Sequence, residues 1–81
     1  MKPSGRTSLI MKDESAFDPA ALRQHRRRLG LSQRSLAAKA GISQALVAEL
    51  ERGKHPPSHT SLDKLCAAME VRPADLARKP S

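Results

Sequence analysis

The sequence predicts an all-α fold, a compact five-helix bundle behind a flexible N-terminal arm. Phe17 is the only aromatic residue among 81, so a core must be assembled from Leu, Ala, Val, Ile and Met. That palette suits short helices better than strands. Apolar residues recur at helical spacing in successive short runs, most of them opened by Ser or Asp and closed by Gly or Pro. A chain this short holds one small domain and buries only about 60–65 % of its unfolded surface, which leaves little room for an enclosed active site.

Residues 1–16 mix Pro3, Ser4, Gly5, Thr7 and Ser8 with scattered charge and no sustained period, and they read as the flexible arm. Asp18 is a good N-cap and Pro19 a good first helical residue. Leu22, Arg26 and Leu29 then share one face of a first helix, Arg23, Arg27 and Arg28 the other, and Gly30 ends it. Ser32 caps a second helix running to Ala40, with Leu36, Ala37 and Ala40 inward, and Gly41 breaks it. Ser43 caps a third helix running to Arg52, with Val47 and Leu50 inward, ended by Gly53. Pro56-Pro57 enforces an extended linker, because neither has an N–H to donate and each restricts its predecessor. Ser58 or Thr60 starts a fourth helix carrying Leu62, Leu65, Cys66 and Met69. A short fifth helix fits residues 73–78 with Leu76 inward, and residues 79–81 form a tail. The folded domain is therefore expected over residues 17–78.

The net charge of +7 is unevenly placed. Residues 1–18 sum to zero, whereas residues 19–60 carry eight basic and two acidic groups, and residues 61–81 four basic and three acidic. A basic field confined to one segment is the footprint of a phosphate-facing surface, although a merely solubilising surface has the same composition. Other classes lose support. The single cysteine, Cys66, makes no internal disulfide and fits a reducing cytosol. No apolar run nears the roughly 18 residues of a bilayer span, so no membrane partner is expected. Leu9-Ile10-Met11 is too short for the core of a signal peptide. His55 and His59 are separated by Pro56-Pro57 and share no helix face, and Cys66 falls on an apolar stripe, so neither a metal site nor a cofactor is implied. No nucleophile elbow, Gly-rich phosphate loop or paired-carboxylate motif is present, which argues against an enzyme.

The informative stretch is QRSLAAKAGISQALVAELER, Gln33 to Arg52. Two helices joined by a three-residue turn must cross at close range. Ala37 sits where they touch, Gly41 sits in the turn where a positive φ is cheap for glycine, and Ile42, Val47 and Leu50 supply the shared core. One such Ala or Gly means nothing; all of them at these offsets make a helix-turn-helix.

Residues 20 to about 77 resemble the phage repressor and Cro-like helix-turn-helix family, also called the xenobiotic response element family. The match runs through Arg26, Leu29-Gly30-Leu31-Ser32-Gln33, Leu36-Ala37, Gly41-Ile42-Ser43, Val47 and Leu50-Glu51-Arg52-Gly53-Lys54. It continues through Pro57-Ser58, Leu62, Leu65, Met69 and Val71. The resemblance implies a bundle of the lambda-repressor-like type and a cytoplasmic, nucleoid-associated regulator of transcription, a repressor, that binds a double-stranded DNA operator. The third helix, residues 43–52, would lie in the major groove with its N-terminal half toward the bases. Gln44 would read adenine through its carboxamide, Ala45 would pack on a thymine methyl, and Glu49 would accept from cytosine N4. Gln33, Ser43, Arg34, Lys39 and Lys54, with the backbone amides near Gly53, would meet phosphate. Arg26 and Glu51 match a pair that ties the first helix to the end of the third, a scaffold role.

Leu46 and Ala48 depart from the family pattern by placing apolar side chains at surface positions of the third helix, and Glu49 brings negative charge toward DNA. These features and the arm motivate a second reading, a protein-interaction module such as an antitoxin or anti-repressor that holds a protein partner. Any homodimer on a two-fold site would use the helix 4–5 region, the arm or the DNA itself, and binding as a monomer stays open.

Overall fold

The computed structural model describes residues 17–78; the arm read over residues 1–16 and the tail over 79–81 lie outside them. Four α-helices follow one another, α1 (Pro19–Arg28), α2 (Gln33–Ala40), α3 (Gln44–Glu51) and α4 (His59–Met69), and then a 3-10 turn over Pro73–Leu76. Each α-helix starts where the sequence nominates a cap. The Asp18 carboxylate accepts from the Ala20 amide at 3.0 Å. The hydroxyls of Ser32, Ser43 and Ser58 accept from the amides of Ser35, Leu46 and Ser61 at 2.9, 3.1 and 3.1 Å. Each bond satisfies one of the N–H groups left unpaired at a helix start. Ser58, not Thr60, opens α4.

All four helices also stop alike, in a double hydrogen bond around a left-handed residue. The Gly30 and Leu31 amides donate to Arg27 and Arg26, Gly41 and Ile42 to Ala38 and Ala37, Gly53 and Lys54 to Leu50 and Glu49, and Glu70 and Val71 to Ala67 and Cys66. At the helix-turn-helix, Gly41 takes φ 74°. A Cβ there would meet no atom within 4 Å, so the demand for glycine is conformational, not one of space. Glu70, at φ 58°, makes the same turn with a side chain, at a cost of about 1–2 kcal/mol. Glu70→Gly is therefore expected to stabilise the domain by about 1 kcal/mol, after glycine's greater freedom in the unfolded chain is subtracted. Urea melts check this, and a lowered midpoint would contradict it.

The core is continuous: Leu22 from α1, Leu36, Ala37 and Ala40 from α2, Val47 and Leu50 from α3, Leu65, Cys66, Ala68 and Met69 from α4, and Leu76 from the 3-10 turn. α2 packs on α3 and α4, while α1 packs on α3 and on the 3-10 turn. Burial, helped by the charges of Asp63 and Asp75, pushes the Cys66 thiol up, as suits an inert core residue.

Two expectations need correction. The fifth helix is not an α-helix over residues 73–78 but one 3-10 turn. The Asp75 carboxylate turns back to accept from the Arg72 amide at 2.8 Å, and Ala77 is already extended. Ala77 forms an antiparallel bridge with Phe17, and the Asp18 amide donates to Leu76 at 2.9 Å. The start of α1 is thus tied to the end of the described chain, and four residues are too few to continue a helix. Leu29 likewise does not join the inward face of α1. It is the C-cap, where the chain turns toward Gly30, and it is 45 % exposed.

Candidate nucleic-acid interface

α3 divides into two faces because successive residues lie about 100° apart. Val47, Leu50 and Glu51 are turned inward and buried, and Leu46 beside them is half-buried against the core. The opposite arc carries Gln44, Ala45, Ala48, Glu49 and then Arg52, the C-cap. Gln44, Ala45 and Arg52 are exposed, Ala48 and Glu49 half-buried. Leu46 is therefore not the surface apolar residue its position in the sequence suggested. It closes the edge of the core, which removes one motive for assigning a protein partner to this helix.

Glu51, the last residue of α3, is held from three directions. The Arg26 guanidinium grips its carboxylate in two hydrogen bonds, Nε to Oε2 at 2.6 Å and Nη2 to Oε1 at 3.0 Å. Gln33 Nε2 donates to Oε1 at 3.1 Å. Arg23 Nη2 donates to the Glu51 carbonyl at 3.1 Å, placing a cation at the C-terminus of α3 where the helix dipole favours one. Arg26 and Glu51 are 9 % and 4 % exposed, and Arg26 Nη1 also donates to the Leu31 carbonyl at 2.9 Å. Burial pushes the Glu51 carboxyl up, but the hydrogen bonds from Arg26 and Gln33 and the charges of Arg26 and Arg23 together hold it below its ordinary value. Glu51 hydrogen bonding raises the Arg26 pKa. One carboxylate thus fastens α3 to α1 and to the start of α2.

The residues nominated for phosphate do not all gather. Ser43 stands exposed at the N-terminus of α3; its oxygen caps the helix, which leaves the hydroxyl proton for a further acceptor. Gln33 has one amide proton on Glu51, and its second and its Oε1 have no partner among the described residues. Lys54 is exposed just beyond α3. Arg34 and Lys39 are both exposed on α2, but five residues of helix set them about 140° apart, so no single edge presents both. The amides of Gly53 and Lys54 are spent on the carbonyls of Leu50 and Glu49, which takes them out of the phosphate set.

Three residues take positions at the interface that the sequence did not assign to them. Arg52 falls in the middle of the exposed arc, four residues beyond Ala48, and helical spacing alone places it there. Arg23 turns to the end of α3, a contact 28 residues away in the chain that no local pattern reveals. His55 reaches back from the loop after α3 to Glu49, its Nε2 standing 3.2 Å from Oε1. An open apolar groove of about 690 Å³ is lined by Phe17, Pro57, Leu62, Pro73 and Leu76 and by no residue of α3.

Residues 22–76 match the family model HTH_3, described as helix-turn-helix. An uncharacterized HTH-type transcriptional regulator from Methanothermobacter thermautotrophicus is 33 % identical over 48 residues, covering 59 % of this chain and 70 % of that protein. Among solved structures, the restriction-modification controller protein C.AhdI from Aeromonas hydrophila superposes with a TM-score of 0.69 at 34 % identity, over 72 % of this chain and 88 % of that one. The clp gene regulator ClgR from C. glutamicum gives 0.65 at 36 % identity, over 72 % and 75 %. With its helix-turn-helix geometry and a match over more than half its length, the chain belongs to the HTH_3 family of Cro/C1-type helix-turn-helix proteins.

Proposed function

We propose that the chain is a transcriptional regulator, a repressor, that binds a double-stranded DNA operator by laying α3 in the major groove. The observation that carries this reading is the exposed arc of α3. It offers Gln44 and Ala45 in the first turn and Arg52 at the end, on a helix capped by Ser43 and fastened by Glu51. Gln44 pairs with adenine, Ala45 packs on a thymine methyl, and Glu49 accepts from cytosine N4. Ser43, Gln33, Lys54 and whichever of Arg34 and Lys39 lies nearer the groove bind phosphate and set the register. The similarity to a restriction-modification controller and to a clp gene regulator supports a regulatory role. A helix of eight residues reads few base pairs, so a homodimer on a two-fold site is part of the reading. Such a regulator works in the cytoplasm, on the nucleoid. It needs no cofactor and no membrane; no helix among the described residues is long and apolar enough to cross one.

Selection of bound duplexes from a randomised library, with affinity followed across salt, tests this reading. An enriched motif is expected, with log K falling against log salt by roughly 0.9 per phosphate contacted. A palindromic motif supports the dimer and a single half-site a monomer. Weak binding with no motif would overturn the reading and move the function to a protein partner.

A further inference from the structure

His55 lies between two hydrogen-bond acceptors. Its Nε2 stands 3.2 Å from Glu49 Oε1, and its Nδ1 stands 3.1 Å from the Pro56 carbonyl oxygen. A carbonyl accepts only, and so does an ionised carboxylate. A neutral imidazole has one donor and one lone pair, so it satisfies one of these contacts and opposes the other. Only the imidazolium, with a proton on each nitrogen, makes both.

Glu49 is the one acidic residue on the exposed arc of α3. From this geometry we propose that His55 is a positioning residue that clamps Glu49 as an imidazolium, making both the affinity and the base preference of the interface depend on a proton. The clamp stands on the ring geometry; its effect on DNA rests on the function proposed above. A free carboxylate facing a polyanion is repelled by it, whereas a carboxylate paired with an imidazolium adds no net charge. Held by His55 through Oε1, Glu49 keeps Oε2 alone for a cytosine N4 proton and shares its charge with the ring, so it accepts more weakly. Loss of the proton breaks one of the two ring contacts, lowers the charge of the interface by one unit, and frees the carboxylate to read cytosine.

The charged surroundings agree. Lys54 acts on both members of the pair, Arg52 at the end of α3 acts on Glu49, and Arg78 lines a small cleft with Lys54 and His55. Accepting from His55, and then the Lys54, His55 and Arg52 charges, hold Glu49 below its ordinary value. The Pro56 carbonyl first, then Glu49, raise His55 above its ordinary 6.5, against the opposing Lys54 charge. The clamp is thus complete below pH 6.5 and is lost as the pH rises through the higher value the folded protein imposes.

Two measurements on the full chain test the proposal. In the free protein, long-range proton–nitrogen NMR of the ring, assigned with His55→Gln, is expected to show an imidazolium that titrates above 6.5 and falls when Glu49→Gln is introduced. On the duplex selected above, at constant ionic strength, wild-type affinity is expected to rise about threefold to tenfold from about pH 8 to about pH 6. Over that range the preference for cytosine at the Glu49 position should weaken. His55→Gln should flatten both trends, and His55→Arg, charged throughout, should keep tight binding at every pH. A ring that titrates at the ordinary value and ignores Glu49→Gln overturns the clamp. Superposable pH profiles for wild type and His55→Gln overturn its coupling to DNA. Failure to bind any duplex overturns the DNA reading and the coupling with it, while the ring titration still decides the clamp.

Discussion

Glu51→Ala is expected to cost the domain about 3–5 kcal/mol, a large share of the roughly 5–15 kcal/mol that holds an ordinary domain together. The loss comes less from the missing attraction than from what remains. Arg26, 9 % exposed, keeps its charge but retains only the Leu31 carbonyl of its three hydrogen bonds. Arg26→Ala should cost a comparable amount by leaving the Glu51 carboxylate buried with Gln33 and Arg23 alone. Removing both charges together, as Arg26→Met with Glu51→Leu, leaves no ion stranded and should recover most of the loss. Urea unfolding of the three variants checks this; a double variant as unstable as either single one would show that the pair itself stabilises the fold. The pH dependence follows from the Glu51 shift. Its carboxyl titrates below the ordinary 4.5 in the folded protein, so its contribution is complete above pH 4.5 and is lost as the pH falls through the lower folded value. Urea midpoints should therefore drop below pH 4.5, and drop less in the double variant.

Gln44→Ala and Lys54→Ala should weaken DNA binding in different ways. Gln44 is the first residue of α3 and exposed, so its removal leaves the fold intact while erasing about 1–3 kcal/mol of discrimination at one base position. Sites differing at that base should then bind alike, with the salt dependence little changed. Lys54, exposed past the end of α3, holds a phosphate on this reading. Its loss should weaken every sequence about equally and reduce the salt slope by about one. Titrations of matched and mismatched duplexes at several salt concentrations separate the two. Equal effects of both changes on every duplex would overturn the assignment of Gln44 to a base.

Some features were legible without coordinates because they are local. A serine at a helix start bonds an amide three residues on, so Ser32, Ser43 and Ser58 announce their helices. Ala37, Gly41, Val47 and Leu50 at their spacing specify the crossing of α2 and α3. Glu70 hid the end of α4, since a left-handed turn at a glutamate carries no compositional signal. The 3-10 turn was not legible because the Asp75 carboxylate closes on the Arg72 amide and the chain is extended again by Ala77, neither of which helical spacing records.

The residue pattern alone decided the starts of the four α-helices and most of the core face of each, because helical period and capping act within a few residues. Tertiary structure alone decided which polar groups are spent inside the protein and which are left to face outward. Gln33 and Arg23 turn to Glu51, Leu46 closes the core edge, the amides after Leu50 cap α3, and His55 returns to Glu49. Most of these partners are brought together by the crossing of α1, α2 and α3, a geometry to which local periodicity is blind. A hydrogen bond depends on tenths of an ångström and on direction, so these assignments appear only once the helices are packed.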